Sequence, residues 1–160
     1  MYEYHHDKKI DVLISALEER YKAKHEIRTR LQNVSIWTLG IFVAASGWLF
    51  QSDIYLLKHE QVTLLIILSV LIYILFKTYI KDLEKGFKIQ QKTASGIEQE
   101  LGFYDEGTLS KRPLYPSSWK ESGTENGDGK YFDTTRILIM TGTLLLALSI
   151  LSKGSPLLNF

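Results

Sequence analysis

Histidines next to an acidic residue are the first groups in this sequence that could do chemistry. His5 and His6 are followed directly by Asp7. A metal site needs further ligands at suitable spacing, and neighbouring side chains on a helix do not face each other. The chain has no cysteine, which excludes thiolate ligands and cysteine nucleophiles. We therefore interpret the two histidines as solvated terminal residues, and we expect neither a metal nor another cofactor.

Paired carboxylates are the second candidate, because general acid–base catalysis often uses two of them. Glu18–Glu19 and Glu98/Glu100 lie among basic residues, and we interpret both pairs as solvated helix faces. The sequence contains no glycine-rich phosphate loop, no GxSxG and no HExxH motif. It therefore predicts a protein that is not an enzyme and has no catalytic residues. An enzyme that uses loop residues is the alternative, although no nucleophile in the loop stands beside a base.

The elements that would position such groups include three blocks without charged side chains, at residues 31–52, 61–76 and 137–152. The 160-residue chain is 45% hydrophobic and 23% charged, and its mean hydropathy of −0.05 hides this segregation. The first block reaches the roughly 18 apolar residues of a membrane-spanning helix, and flanking residues extend the other two. Because each block is hydrophobic on all sides, membrane spans are favoured over the buried core helices of a soluble bundle.

The basic residues indicate how the spans are oriented. Seven precede the first block and ten lie between the second and third, whereas Lys58 and Lys153 are the only others. The positive-inside rule then places the N-terminus and the long middle segment in the cytoplasm, with the short loop and the C-terminus outside. A net charge of +1 gives no general attraction to nucleic acid. The expected partner is therefore the lipid bilayer of the inner membrane.

Charged helices are predicted next to the first two spans. Residues 7–33 contain no Gly or Pro, and they and residues 80–101 repeat apolar side chains at heptad spacing. A short outer loop makes the two spans antiparallel, so we expect their cytoplasmic extensions to pack as a helical hairpin. Each helix lying on the membrane surface is the alternative. The predicted seam of the first helix comprises Ile10, Leu13, Leu17, Ile27, Leu31 and Val34, with Arg20 and Lys24 as charged interruptions. The predicted seam of the second helix comprises Ile80, Leu83, Phe87, Gln90, Ala94, Ile97 and Leu101.

The predicted fold is thus an all-α integral membrane protein with three transmembrane helices and cytoplasmic helical extensions that form a hairpin. Its parts are a cytoplasmic helix (1–33) continuous with transmembrane helix 1 (34–52), an outer loop (53–60), transmembrane helix 2 (61–80), a cytoplasmic helix (81–101), a flexible cytoplasmic loop (102–132), transmembrane helix 3 (133–153) and an outer tail (154–160).

Small residues mark faces of the spans that would allow close helix contact. Gly40, Ala44 and Gly47 recur at i, i+4 and i+7 in the first span. The third span contributes Gly142, Thr143 and Ala147. Packing within one three-helix bundle and contact between subunits both remain open as explanations. In the loop, Leu114, Tyr115 and Trp119 could dock on the helical hairpin or at the membrane interface, and Tyr115 and Trp119 could also dock on a cytoplasmic protein partner.

The segment EERYKAKHEIRTRLQNVSIW, residues 18–37, is part of a recognisable layout. A long charged helix, a tight two-span hairpin and a second charged helix over roughly residues 7–101 resemble the SLATT-type membrane effectors of bacterial conflict systems. The resemblance implies pore formation or membrane perturbation when a nucleotide-linked sensor is triggered. The third span is additional to the two-span pattern of that family, and the resemblance assigns no functional residue.

Two functions are compatible with this architecture. The leading hypothesis is a non-enzymatic, oligomeric inner-membrane protein whose assembled spans open or perturb the bilayer as an effector in antiviral defence. Apart from Tyr73, the three uncharged blocks contain no ionisable residue, which argues against a pump or an ion-coupled transporter. The alternative is a membrane anchor or adaptor that recruits a soluble cytoplasmic partner through its hairpin and loop.

Overall fold

The computed structural model describes residues 2–107, 109–122 and 131–154, with side chains described from residue 8 onward. Over these ranges the chain is helical, and the prediction of an all-α chain with three helices long and apolar enough to cross a membrane is confirmed. The elements are α1 (Tyr2–Gln51), α2 (Lys58–Ile74), a π-helical segment (Leu75–Ile80), α3 (Lys81–Glu100), a 3-10 turn (Ser117–Glu121) and α4 (Tyr131–Ser152). The side chains of His5, His6 and Asp7, residues 123–130 of the predicted loop and residues 155–160 of the predicted tail lie outside the described part.

The chain divides into two compact units. The polar unit is formed by Met1–Thr29 and Asp82–Gly129, and the apolar unit by Arg30–Lys81 and Lys130–Phe160. Helix α1, an uninterrupted helix of 50 residues, contributes to both. Its first 38 positions after Met1 contain neither Gly nor Pro, so nothing in that part of the sequence interrupts the backbone hydrogen bonds of the helix.

In the polar unit, α1 and α3 contact each other in antiparallel order. Tyr21 of α1 bonds to Glu98 near the end of α3, whereas Arg28 lies over the ring of Phe87 near its beginning. Helix α3 then ends at Glu100, and Gly102 has a φ of 74°. A Schellman arrangement closes the helix, because the amide of Gly102 donates to the carbonyl of Gln99 and that of Phe103 to the carbonyl of Glu98, each at 3.0 Å.

In the apolar unit, each helix buries one narrow face. Many of the buried positions are three, four or seven residues apart, as expected for one side of an α-helix. In α4 the buried face includes Phe132, Thr135, Ile139, Gly142, Ser149 and Ile150. In α2 it includes Gln61, Leu68 and Ile72, and in the second half of α1 it includes Leu31, Ser46 and Leu49.

The buried face that starts in α2 shifts by one residue at the π-helical segment. Leu68 and Ile72 are four residues apart, and continued α-helical spacing would next bring Leu75 and Tyr79 to this face. Instead Ile80 is fully buried and Tyr79 is exposed. A π-turn accommodates one residue more than an α-turn, which accounts for this shift by one position.

Candidate functional site

The small residues predicted to mediate helix packing fall into two groups in the apolar unit. Gly40 and Ala44 are exposed, and a Cβ added to Gly40 or Gly47 would meet no atom within 4 Å. This part of α1, which we call the open α1 face, therefore makes no close contact with the other helices of its own unit. Packing within one bundle does not explain the open α1 face.

Gly142 belongs to the second group, which lies against the chain itself. A Cβ on Gly142 would lie 2.9 Å from Leu39 Cδ1 and 3.4 Å from Phe42 Cδ2, so the glycine allows α1 and α4 to approach closely. Thr143 and Ala147 are half-buried. The Thr143 hydroxyl donates to the carbonyl of Ile139 at 2.8 Å and is thus satisfied within its own helix.

Tyr115 and Trp119, the predicted docking residues, are part of an aromatic cluster in the polar unit. The Tyr115 ring centroid lies 5.4 Å from those of Phe103 and Trp119 and 6.0 Å from that of Tyr104. Backbone bonds fold the segment back on itself, since the Phe103 carbonyl accepts the amides of Leu114 and Tyr115. Residues 102–107 and 109–122 thus form a folded segment, which we call the aromatic strap, and 51% of Trp119 remains exposed.

The aromatic strap is fastened to α3 by Ser95. This buried side chain has its hydroxyl oxygen 3.1 Å from the carbonyl oxygen of Trp119 and 3.0 Å from that of Lys120, and donates to this pair of acceptors. Lys120 also forms an ion pair with Asp105 at 3.5 Å. The Ser95 hydroxyl thereby bonds to the last carbonyls of the 3-10 turn, and that of Trp119 also accepts the amide of Ser122 at 3.0 Å.

Glu98 was expected on a solvated helix face, and this expectation is wrong. Its side chain is only 6% exposed and accepts hydrogen bonds from the hydroxyls of Tyr21, at 2.7 Å, and Tyr104. A buried carboxylate is costly unless it is hydrogen-bonded, and the two phenols provide the necessary donors. Glu98 therefore links α1, α3 and the aromatic strap in one polar cluster.

The surroundings of Glu98 alter the protonation of its neighbours, which lie outside the uncharged blocks. Burial, followed by the hydrogen bond to Glu98, raises the pKa of Tyr104 to about 12. The same causes, with a contribution from Tyr115, raise the pKa of Tyr21 well above its usual range. Burial lowers the pKa of Lys24, as does nearby Arg28, while the negative charge of Glu98 opposes this shift.

The two charged residues that were predicted to interrupt the α1 seam both make contacts in the structure. Arg20 donates from Nη1 to Gln90 Oε1 of α3 at 2.9 Å, so a predicted seam residue of each helix contributes to one hydrogen bond. Lys24 stacks over the ring of Tyr21, with 4.5 Å from its Nζ to the ring centroid. Both contacts retain the charge at the edge of the seam, where solvent can reach it.

A second polar cluster lies in the apolar unit where α1 and α4 end. The buried amide of Gln61 donates from Nε2 to the carbonyls of Ile150 at 2.8 Å and Leu151 at 3.2 Å. Lys153 donates to the carbonyls of Ser52 at 2.5 Å and Phe50 at 3.4 Å. Because the last carbonyls of a helix have no partners within it, these side chains act as C-terminal caps supplied by other elements.

Neither cluster has the arrangement of a catalytic centre. In the described ranges no group of three His, Cys, Asp or Glu side chains could hold a metal ion. Glu98 contacts phenols with raised pKa values, which are poor proton donors and acceptors near neutral pH. What both clusters do chemically is satisfy buried polar groups and hold elements together.

Helical spacing in the sequence offered a signal for two of the buried polar residues, Glu98 and Gln61. Glu98 lies four residues after Ala94, and Gln61 lies seven before Leu68, so both occupy helical positions of the buried faces. Composition alone hides them because acidic and amide side chains are normally exposed. No protein-family model matches this chain, and no curated protein or solved structure shows significant similarity to it.

Proposed function

We propose that this chain is a non-enzymatic inner-membrane protein that self-associates through its spans and, as an oligomer, opens or perturbs the bilayer as an effector of bacterial defence. The observation that carries the proposal is the open α1 face, with Gly40 and Ala44 exposed and free space around Gly40 and Gly47. Apolar helices gain no hydrophobic benefit from leaving lipid for one another. Close backbone approach must therefore stabilise their association, and glycine permits it.

The surface of the apolar unit supports a membrane environment. Trp37 in α1, Val62 in α2 and Ile137 in α4 are each more than half exposed, as are many other large apolar side chains. Water would make such a surface prone to aggregation, whereas lipid solvates it. The distribution of Lys and Arg supports a cytoplasmic N-terminus and a cytoplasmic polar unit, with the C-terminus outside.

A path through the bilayer would run between copies of the chain. Leu49, Leu68 and Ile139 are buried in the apolar unit, and the hydroxyls of the buried Ser46 and Ser149 bond to carbonyls of their own helices. Such an interior favours a pore or a membrane defect that requires several copies. It supports oligomerisation as the step that makes the protein active.

The test is to change the open α1 face and measure both size and leakage. Gly40→Leu and Gly47→Leu should shift the protein in nanodiscs toward the monomer by mass photometry and abolish dye leakage on induction. Ile41→Leu, at an exposed position of the same span about 100° around the helix from Gly40, is the matched control and should change neither. A monomeric parent protein, or an intact membrane potential at high expression with any activating partner present, would contradict the proposal.

A membrane adaptor is the second candidate, favoured by the exposed apolar residues of the aromatic strap. Leu109, Leu114 and Trp119 are each more than half exposed on a folded segment, as in a surface that binds a protein. Trp119→Ala in the full chain should then release a cytoplasmic partner in pull-downs, while Trp48→Ala should not. An adaptor would also retain its partner when unrelated spans replace its own.

A further inference from the structure

An apolar groove of about 430 Å³ lies beside the π-helical segment in the apolar unit. It is lined by Val34 of α1 and by Leu71, Ile74, Leu75, Thr78 and Tyr79. Residues 71–79 extend over roughly 12 Å of helix axis at about 1.5 Å per residue. The Thr78 hydroxyl already donates to the Ile74 carbonyl at 2.6 Å, so the groove offers little to a polar ligand. Its shape and lining fit a long apolar chain.

Basic residues lie at only one end of this groove. Lys81 follows Thr78 by about one helical turn, and Arg30 precedes Val34 by about one turn on the opposite wall. In the other direction, α2 has no charged side chain between Phe76 and Gln61. The groove is therefore apolar along its length and cationic at one end.

Lys77 adds a cation at the side of the groove. Its Nζ is 2.5 Å from the Tyr73 hydroxyl and 5.0 Å from the centroid of that ring. The ammonium thus points back along the helix toward the level of Ile74, which lines the groove. A basic side chain in this position within a spanning segment is a candidate for ligand binding, and the π-turn that carries it is a feature frequently found at functional sites.

Charge distinguishes between the possible occupants. A helix from a second copy would fill the groove with apolar side chains but would bring the same basic residues, at positions 30, 77 and 81, to the same level. A lipid with a neutral headgroup would bring no net negative charge to Lys77 and Lys81. An anionic phospholipid matches both the apolar length and the positive end.

We propose that this groove binds one acyl chain of an anionic phospholipid, with Lys81 at its phosphate and Lys77 joining it when its ammonium turns away from Tyr73. The site depends on the proposed membrane location of the apolar unit. It does not depend on oligomerisation or on pore formation.

Native mass spectrometry of the full-length protein, released from nanodiscs of equal phosphatidylglycerol and phosphatidylcholine, tests this site. The protein should retain phosphatidylglycerol in preference to phosphatidylcholine. Lys77→Gln with Lys81→Gln should weaken this preference roughly twentyfold, at about fivefold for each lysine near the headgroups. Lys58→Gln, at the opposite end of α2, is the matched control and should leave the preference unchanged.

A second pair of variants tests the groove itself. Val34→Phe places a ring in the groove and should remove the retained lipid, whereas Val62→Phe makes the same change at an exposed position away from it. Circular dichroism establishes that both variants are folded. Equal retention of the two lipids would overturn the site, and so would lipid that a folded Val34→Phe protein still retains. The site would also be overturned if Val34→Phe removed a second copy of the chain and not a lipid.

The same spectra separate this inference from the proposed function. A monomer that retains phosphatidylglycerol supports the lipid site and contradicts the oligomeric effector. An oligomer that shows no preference between the two lipids supports the oligomeric effector and contradicts the lipid site.

Discussion

In the polar unit, buried polar side chains bond from one element to another, whereas in the apolar unit most of them bond to the helix that carries them. Glu98 and Ser95 join α3 to α1 and to the aromatic strap. Ser46 and Ser149 instead donate to the carbonyl four residues before them. Specific polar contacts thus determine which residues meet in the polar unit. In the apolar unit, shape and small residues have this role.

Gln61 and Lys153 are exceptions in the apolar unit, and their position explains why. Both bond to carbonyls at the ends of helices, where fewer backbone amides are available as donors and a carbonyl can accept a second bond from a side chain. Within the helices every backbone group already has a partner. Polar contacts between elements are therefore useful in this unit only at its helix ends.

The largest effect is expected from removing the Glu98 carboxylate. Glu98→Ala leaves the hydroxyls of Tyr21 and Tyr104 without their acceptor and should destabilise the polar unit by about 2–4 kcal/mol. The exposed Glu100 provides the matched control, because Glu100→Ala should change stability by less than about 0.5 kcal/mol. Thermal unfolding followed by Trp119 fluorescence compares them. Equal stability of the two variants would mean that the buried cluster does not hold the polar unit together.

The next comparison is between two glycines of the apolar unit. Gly142→Ala brings a Cβ within 2.9 Å of Leu39 Cδ1 and should cost about 1–2 kcal/mol, limited by the freedom of the leucine to move. In a detergent in which the protein is monomeric, Gly40→Ala meets no atom of its own chain within 4 Å and should be neutral or stabilising by up to about 1 kcal/mol, since alanine favours the helix. Midpoints of thermal unfolding in detergent show which of the two substitutions costs more stability. A larger loss at Gly40 would indicate that the open α1 face is covered.

A loss of stability at alkaline pH should belong to the polar unit alone. The pKa of Tyr104 is raised from 10.0 to about 12, so between these values the unfolded chain releases a proton that the folded chain retains. This contribution is complete below pH 10 and decreases as the pH rises toward 12. Tyr104→Phe should make the decrease less steep, whereas the exposed Tyr55→Phe should not. Unfolding midpoints measured across this range, together with tyrosinate absorbance, test the assignment.

The smallest effect is expected at the Gln61 cap. Gln61→Leu removes two hydrogen bonds to α4 but leaves acceptors that water or neighbouring groups near the helix end can satisfy, so the expected loss is about 1 kcal/mol. Gln32→Leu, at an exposed position, is the control. A loss as large as that of Glu98→Ala would remove the difference between the two units.

Periodicity predicted the helices because long regular segments carry the strongest sequence signal. The repeat at Ile80, Phe87 and Ala94 correctly identifies residues buried in the structure. Glycine in the left-handed region explains why α3 ends before Gly102. These features depend on local conformation and on one face of a helix, which a single sequence reveals.

Other features depend on which elements meet. The burial of Glu98 follows from two tyrosines 77 and 6 residues away in sequence, and no spacing rule joins them. Pro113, Pro116 and nearby polar residues predicted a flexible loop, and its spacing did not reveal that Ser95 and ring contacts would join this segment to α3 and to itself. That Gly40 is exposed and Gly142 buried likewise requires the positions of neighbouring helices, since both have similar surroundings in the sequence.

The π-helical segment can also be understood as a one-residue insertion within a continuous helix. In a loop, an added residue is absorbed by a small bulge, but a lipid-exposed helix has no water to satisfy a broken backbone bond. Widening one turn keeps the helix continuous while Ile80 takes the buried position that Tyr79 would otherwise occupy. Deleting one residue between Leu75 and Tyr79 should therefore restore regular α-helical spacing and still leave Ile80 buried. The insertion or deletion of one residue should then be tolerated in the π-helical segment more readily than in α2.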